Sequence, residues 1–149
     1  MTDGSKDPPG RNGRARQGDV GTDQPADDIL IFLVDDDEAV RDAVAISLRA
    51  AGFRVVACGS ARQLLESYRD GQRGCLVVDL DLPDLEMLLR MSASTKLSLP
   101  TIMTSRRLRR RVIARAFASL PAVLLEKPFG IDDLLPLVKA AIAGADKPA

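Results

Sequence analysis

Histidine is absent from this chain of 149 residues, and only two cysteines are present, Cys58 and Cys75. A disulfide scaffold, a histidine-based zinc site and any catalytic pairing of serine or cysteine with histidine are therefore excluded. Tryptophan is also missing, and the five aromatic residues are too few for a base-stacking platform that would bind single-stranded nucleic acid. Carboxylate chemistry remains available.

Net charge is missing as well, because 21 basic side chains balance 21 acidic ones. This balance argues against a polycationic binder of nucleic acid. No segment approaches the roughly 18 consecutive apolar residues of a membrane span, and the N-terminus lacks the apolar core of a signal peptide. We therefore expect a cytoplasmic protein that uses neither a membrane nor a nucleic acid as its partner.

The chain divides by composition into a tail and one domain. Residues 1–28 hold five glycines and three prolines but only four apolar residues, which favours a disordered N-terminal tail. Residues 29–145 alternate short apolar runs with helical patterns, and residues 146–149 form a short C-terminal tail. This alternation is typical of repeated βα units and predicts a parallel sheet.

Five such units are predicted. The predicted strands are Ile29–Val34, 53–58, 75–78, 101–104 and 122–125, and the predicted helices are 38–51, 60–68, 85–92, 107–119 and 132–143. Both cysteines fall in short apolar strands, which indicates small buried side chains.

Acidic residues follow the strands at the sheet edge where ligands bind in open parallel sheets. Asp35 and Asp36 follow the first strand, and Asp79 follows the third. If these strands are neighbours, the carboxylates converge within roughly 5 Å and each pair repels by about 3 kcal/mol. A hard divalent cation and the ammonium group of Lys127 could compensate, and a site with few carboxylates and open positions suits Mg²⁺.

Asp79 is the best-placed nucleophile in this cluster. With its neighbours neutralised by a metal, its carboxylate could attack a phosphoryl donor and form an aspartyl phosphate. Lys127 could balance charge on the transferring group, and Ser105 could donate a hydrogen bond to a phosphoryl oxygen.

These residues resemble the receiver domain of bacterial response regulators, of the chemotaxis-regulator type, over about residues 29–145. The resemblance rests on four spaced elements: the acidic run after the first strand, Asp79 with Pro83 four residues later, a hydroxyl 22 residues before the lysine, and the sequence of Lys127, Pro128 and Phe129. It implies an α/β flavodoxin-like (βα)5 fold, doubly wound, with a five-stranded parallel sheet in the order 2-1-3-4-5 and helices on both faces.

The same resemblance implies roles for individual residues. Asp35, Asp36 and Asp79 would hold Mg²⁺, and Asp79 would accept phosphate from the phosphohistidine of a histidine kinase or phosphotransfer protein. The spacing selects Ser105 over Thr104 as the signalling hydroxyl, and the bond from Lys127 to Pro128 would be cis. The domain would then signal to a downstream protein partner, since no DNA-binding output domain is apparent in this chain.

Three features depart from the family pattern. The turn after Asp84 lacks the usual Ser-Gly and is shorter, and Leu124 replaces the aromatic switch residue three positions before the lysine. Asp81 and Arg107 occupy positions that tune dephosphorylation in this family, and we expect them to pair with each other. Asp37 is expected to cap the first helix.

The sequence leaves several alternatives open. The arginines between residues 106 and 115 form either a solvated helix face or a surface for a homodimer through the fourth helix, fifth strand and fifth helix. The domain could also be a degenerate receiver that binds partners without phosphorylation. A third reading is a phosphatase of the haloacid dehalogenase type, because Asp79, Leu80 and Asp81 resemble its Asp-x-Asp motif. As a phosphoacceptor receiver or as a degenerate receiver, the protein would not be a conventional enzyme.

Overall fold

The computed structural model describes residues 29–94 and 97–145, and in this part of the chain five strands form one parallel sheet in the order β2-β1-β3-β4-β5. The strands are β1 (Ile29–Val34), β2 (Arg54–Cys58), β3 (Arg73–Asp79), β4 (Thr101–Ser105) and β5 (Ala122–Glu126). The helices are α1 (Glu38–Ala50), α2 (Ala61–Ser67), α3 (Leu85–Ser94), α4 (Arg110–Ser119) and α5 (Ile131–Ala145). The predicted fold class and strand order are confirmed, whereas the predicted tails at 1–28 and 146–149 lie outside the described residues.

The sheet is buried on both faces because successive strand residues point in opposite directions. Phe32 and Val34 of β1 pack in one core with the inner sides of α2, α3 and α4. Ile31 and Leu33 pack in a second core with α1 and α5. Continuous apolar runs such as the one in β1 are therefore required, since an alternating strand would place polar groups in one of the two cores.

Local capping interactions define where α1 and α2 begin. Asp37 has an extended backbone, and its side chain accepts hydrogen bonds from the amides of Ala39 and Val40, as predicted. The hydroxyl of Ser60 accepts from the amide of Gln63, and the Gln63 side chain in turn accepts from the amide of Gly59. These bonds satisfy amides that lack partners within the first helical turn.

The third loop, which departs from the family pattern, is tied to the start of α2. The carboxylate of Asp84 accepts from the amides of Ala61 and Arg62 at 2.9 and 3.1 Å. A negative group at this position also complements the positive end of the helix dipole. The shortened turn leads directly into α3, which begins at Leu85. This helix extends to Ser94, two residues beyond the predicted end at 92.

Helix α4 begins at Arg110, three residues later than the predicted start at 107. The hydroxyl of Ser105 accepts from the amide of Arg107 and donates to the carbonyl of the same residue, which closes a tight turn after β4. The backbone of Arg109 is extended, so the helix cannot start before it. The segment 106–109 is therefore a loop at the ligand-binding edge of the sheet.

Gly74 allows β3 and β1 to approach closely. Its φ is +150°, and a Cβ at this position would lie 1.8 Å from the carbonyl oxygen of Leu30. Only glycine fits both the backbone angle and the space.

No helix in the described ranges is long and apolar enough to cross a membrane.

Candidate functional site

The site lies at the carboxyl ends of β1, β3 and β5. Val34 of β1 is paired in register with Val78 of β3, so the next residues, Asp35 and Asp79, lie side by side. Lys127 is the first residue after β5, and its amide donates to the carbonyl of Ser105 at 2.8 Å. Parallel pairing thus brings together residues that are far apart in sequence, as the predicted topology requires.

Lys127 bridges the two buried carboxylates. Its Nζ lies 2.8 Å from Oδ2 of Asp35 and 3.2 Å from Oδ2 of Asp79. The lysine side chain is 7% exposed, and those of Asp35 and Asp79 are 5% and 4% exposed. One ammonium group therefore neutralises part of the charge of two desolvated acids.

Backbone amides hold the other oxygen of each carboxylate. The amide of Asp37 donates to Oδ1 of Asp35, and the amide of Asp81 donates to Oδ1 of Asp79, both at 2.9 Å. The guanidinium of Arg41 donates to the carbonyl of Asp35 and fixes the loop from the other side. Both acids are therefore oriented before any ligand binds, which lowers the reorganisation needed for chemistry.

Burial and the neighbouring charges have opposing effects on the pKa values of Asp79 and Lys127. Burial raises the pKa of Asp79, and the negative charge of Asp35 raises it further against the lowering effects of the Asp81 amide and Lys127. Burial disfavours the charged form of Lys127, but its hydrogen bond to Asp35 and the charges of both carboxylates outweigh burial and raise its pKa. Lys127 stays cationic, and Asp79 is an acid whose ionisation is penalised until positive charge is added.

Asp36 completes a group that fits a divalent cation. One carboxylate oxygen from each of Asp35, Asp36 and Asp79 lies within 4.8 Å of the others. Asp36 is exposed, whereas the other two acids are buried, so the group opens to solvent on one side. An all-oxygen set with an open side suits Mg²⁺, which retains several water ligands. The three predicted metal ligands are thus brought together.

Ser105 lies at the site, but its hydroxyl is engaged in the turn that follows β4. Its side chain is fully buried, and its hydroxyl is engaged with the backbone of Arg107. Thr104, the alternative hydroxyl, is also buried and is in register with Asp79. In this conformation Ser105 acts as a turn-forming residue.

A cleft of about 460 Å³ opens above the carboxylates, and its lining contains more cations than the sequence reasoning assigned. It is lined by Asp36, Asp37, Asp79, Asp81, Arg106, Arg107, Arg109 and Lys127. The predicted pairing of Asp81 with Arg107 is wrong: Asp81 pairs with Arg109 at 3.5 Å and accepts from the amide of Arg106 at 3.3 Å. The reason is the turn formed by Ser105, which uses the backbone of Arg107 and places Arg109 over Asp81.

Arg106 forms a second ion pair across the cleft. Its Nη2 lies 3.5 Å from Oδ2 of Asp37. Sequence reasoning considered Arg106 and Arg109 only as part of a solvated helix face or of a homodimer surface. The rule that ligands bind after the carboxyl ends of parallel strands could have identified them, because both follow β4 within four positions.

Comparison with known proteins identifies the family. Residues 31–139 match the response regulator receiver domain. The chain is a receiver domain of this family. It is 35% identical over 123 residues to the transcriptional regulatory protein FixJ of Bradyrhizobium diazoefficiens, a match over 80% of this chain and 59% of that protein. It is 32% identical over 127 residues to nodulation protein W of the same organism, over 84% of this chain and 56% of that protein.

Solved structures support the receiver fold. A CheY-like receiver domain from Methanospirillum hungatei superposes with a TM-score of 0.71 at 23% identity, over 79% of this chain and 96% of that one. The chain spans between half and three fifths of the length of the two curated relatives. Membership of this family places the chain in two-component signal transduction. Receiver domains generally bind Mg²⁺ at an acidic pocket, and this chain has a cluster of Asp residues of that kind.

Proposed function

We propose that this receiver accepts a phosphoryl group on Asp79 from the phosphohistidine of a histidine kinase or phosphotransfer protein. The observation that carries the proposal is the contact of Lys127 with both Asp79 and Asp35 beside the open carboxylate group. A buried carboxylate that faces a cation and an open cleft has the environment that a phosphoryl acceptor needs.

The transfer uses Asp79 as the nucleophile. One of its carboxylate oxygens forms a bond to phosphorus as the bond from phosphorus to the histidine nitrogen breaks, and the imidazole leaves. Asp35, Asp36 and Asp79 would hold Mg²⁺, which supplies positive charge beside the transferring group. Lys127 balances the charge that develops on the phosphoryl oxygens.

Ser105 supplies a hydrogen bond after transfer. Its hydroxyl must first release the carbonyl of Arg107, to which it donates in the present conformation. Rotation toward the phosphoryl group would then loosen the turn that precedes α4. This couples phosphorylation to the position of the loop 106–109 without the aromatic switch that Leu124 replaces. Leu124 is partly buried against the core that contains α4.

The downstream partner binds, in this proposal, at the face formed by α4, β5 and α5, and a homodimer is one such partner. Phe117 of α4 and Val123 of β5 are 44% and 48% exposed, so both could contribute apolar area to an interface on this face. Sedimentation velocity with beryllofluoride and Mg²⁺ tests the dimer. We expect dimers of the wild type and monomers of Val123→Glu, whereas Ile46→Glu on α1 serves as the control and should still dimerise.

Mass spectrometry after treatment with acetyl phosphate and Mg²⁺ tests the acceptor. We expect one added phosphoryl group on the peptide that contains Asp79, and its loss in Asp79→Asn. Asp42→Asn, an exposed acid on α1, is the matched control and should be modified like the wild type. An unmodified wild type that still binds its partner would favour the degenerate receiver, and steady release of phosphate from p-nitrophenyl phosphate would favour the phosphatase.

A further inference from the structure

Two ion pairs join the loop after β4 to the opposite walls of the phosphoryl cleft. Arg106 reaches Asp37 in the loop after β1, and Arg109 reaches Asp81 in the loop after β3, each at 3.5 Å. The side chains of Arg106 and Arg109 are 62% and 53% exposed, so a ligand that enters the cleft can reach them. The side chains of Arg106 and Arg109 take no part in the turn after β4, which is closed by the hydroxyl of Ser105 and backbone groups.

The charge balance of the cleft depends on these arginines. The acids that line the cleft, together with Asp35 beneath it, are Asp35, Asp36, Asp37, Asp79 and Asp81, and the cations that line it are Lys127, Arg106, Arg107 and Arg109. Five carboxylates against four cations leave one net negative charge, which attracts a divalent cation. Once such a cation is bound the sign reverses, and the cleft attracts an anion.

Without Arg106 and Arg109 the sign would not reverse. The cleft would carry three net negative charges, and a divalent cation would leave it negative. A doubly negative phosphoryl group would then enter against repulsion from Asp37 and Asp81. Arginine is suited to the opposite task, because its planar guanidinium binds phosphoryl oxygens in a bidentate manner.

We propose that Arg106 and Arg109 form an anion-binding arm that receives the phosphoryl group at the mouth of the cleft. This inference rests on the proposed phosphorylation of Asp79. In the resting state each arginine neutralises an acid on the cleft wall. When an anionic phosphoryl group arrives, the guanidinium groups turn from Asp37 and Asp81 to its oxygens.

The arm predicts opposite effects on cation and anion binding. The double variant Arg106→Gln with Arg109→Gln should bind Mg²⁺ about 2- to 10-fold more tightly in calorimetry, because repulsion of the cation is removed. The same variant, loaded with Mg²⁺, should bind beryllofluoride about 3- to 10-fold more weakly, because attraction of the anion is removed. A purely structural role would weaken both ligands together.

Two controls separate this arm from a general effect of charge. Arg110→Gln with Arg111→Gln removes the same charge from the first turn of α4, but these residues do not line the cleft. This control should leave both affinities within about twofold of the wild type. Arg106→Lys with Arg109→Lys keeps the charge. This variant should bind Mg²⁺ as weakly as the wild type does and should retain most of the wild-type affinity for beryllofluoride.

The outcomes distinguish this inference from the function on which it rests. Beryllofluoride binding that is equal in the wild type and the glutamine variant would overturn the arm and leave phosphorylation of Asp79 intact. A parallel loss of Mg²⁺ and beryllofluoride affinity would also overturn the arm. A wild type that takes up neither beryllofluoride nor a phosphoryl group would overturn both proposals.

Discussion

Lys127 donates from Nζ to Oδ2 of Asp35 at 2.8 Å, although 92 positions separate the two residues in sequence. The same ammonium group lies 3.2 Å from Asp79, so a single buried cation serves two buried acids. This shortage of positive charge leaves a pair of acids that a divalent cation would stabilise. It also makes the stability of the domain sensitive to each member of the trio.

Removal of the lysine should destabilise the protein strongly. Lys127→Met leaves Asp35 and Asp79 buried without a cation, and the free energy of unfolding should fall by about 3–5 kcal/mol. Urea denaturation in the presence of EDTA measures the loss, with the exposed Lys139→Met as the control. Mg²⁺ should restore part of the stability of Lys127→Met, and a loss of less than about 1 kcal/mol would contradict the buried bridge.

Neutralisation of Asp79 should have the opposite effect. Burial and Asp35 raise its pKa in the folded state, so the folded protein binds this proton more tightly than the unfolded chain does. Wherever the carboxylate is ionised in the folded state, it therefore costs stability. We expect Asp79→Asn to raise the free energy of unfolding by roughly 1–2 kcal/mol in EDTA.

The pH dependence checks the cause of that gain. The difference between Asp79→Asn and the wild type should shrink as the pH falls from neutral through the raised pKa of Asp79 toward its unfolded value. Urea titrations at several pH values measure this change. Asp42→Asn should show no such gain, and a difference that grows on acidification would contradict the assigned direction.

Replacement of Gly74 should disrupt the contact between β1 and β3. In Gly74→Ala the new Cβ would lie 1.8 Å from the Leu30 carbonyl oxygen, so the strands must separate. We expect a loss of more than about 3 kcal/mol in the free energy of unfolding, or an insoluble protein. Gly71→Ala is the matched control, because Gly71 also has a positive φ, but a Cβ added there would meet no atom within 4 Å beyond its chain neighbours. It should cost about 1–2 kcal/mol.

The two thiols should be inert in the native protein. Cys58 and Cys75 are buried and free, and burial raises the pKa of Cys75 to about 12. Because the thiolate is the reactive form, Ellman's reagent at pH near 8 should label native protein only as fast as the chain opens. Both thiols should react rapidly in urea, and fast labelling without denaturant would contradict their burial.

Much of the site could be predicted from the sequence because strand ends are easy to locate. The apolar runs before Asp35 and Asp79 mark strands, and a parallel sheet places the carboxyl ends of its strands at one edge. The convergence of these acids with Lys127 follows from that rule. The resemblance to receiver domains then supplied the strand order, which periodicity does not specify.

The loop after β4 could not be predicted in the same way. Whether Arg107 or Arg109 meets Asp81 depends on a turn in which Ser105 binds the backbone of Arg107, and no periodic pattern encodes that turn. The late start of α4 has the same origin. The requirement for glycine at position 74 could not be predicted either, since the close approach of two backbones is visible only once the strands are paired.

The sequence by itself determined the alternation of strands and helices, the acidic edge of the sheet and the types of residue that follow each strand. These properties depend on local periodicity and on residue type, both of which are written along the chain. Only the tertiary structure decided which cation meets which acid, where the hydroxyl of Ser105 points and which arginines line the cleft. Those choices depend on distances of a few ångströms between segments that are far apart in sequence, and loop geometry sets such distances.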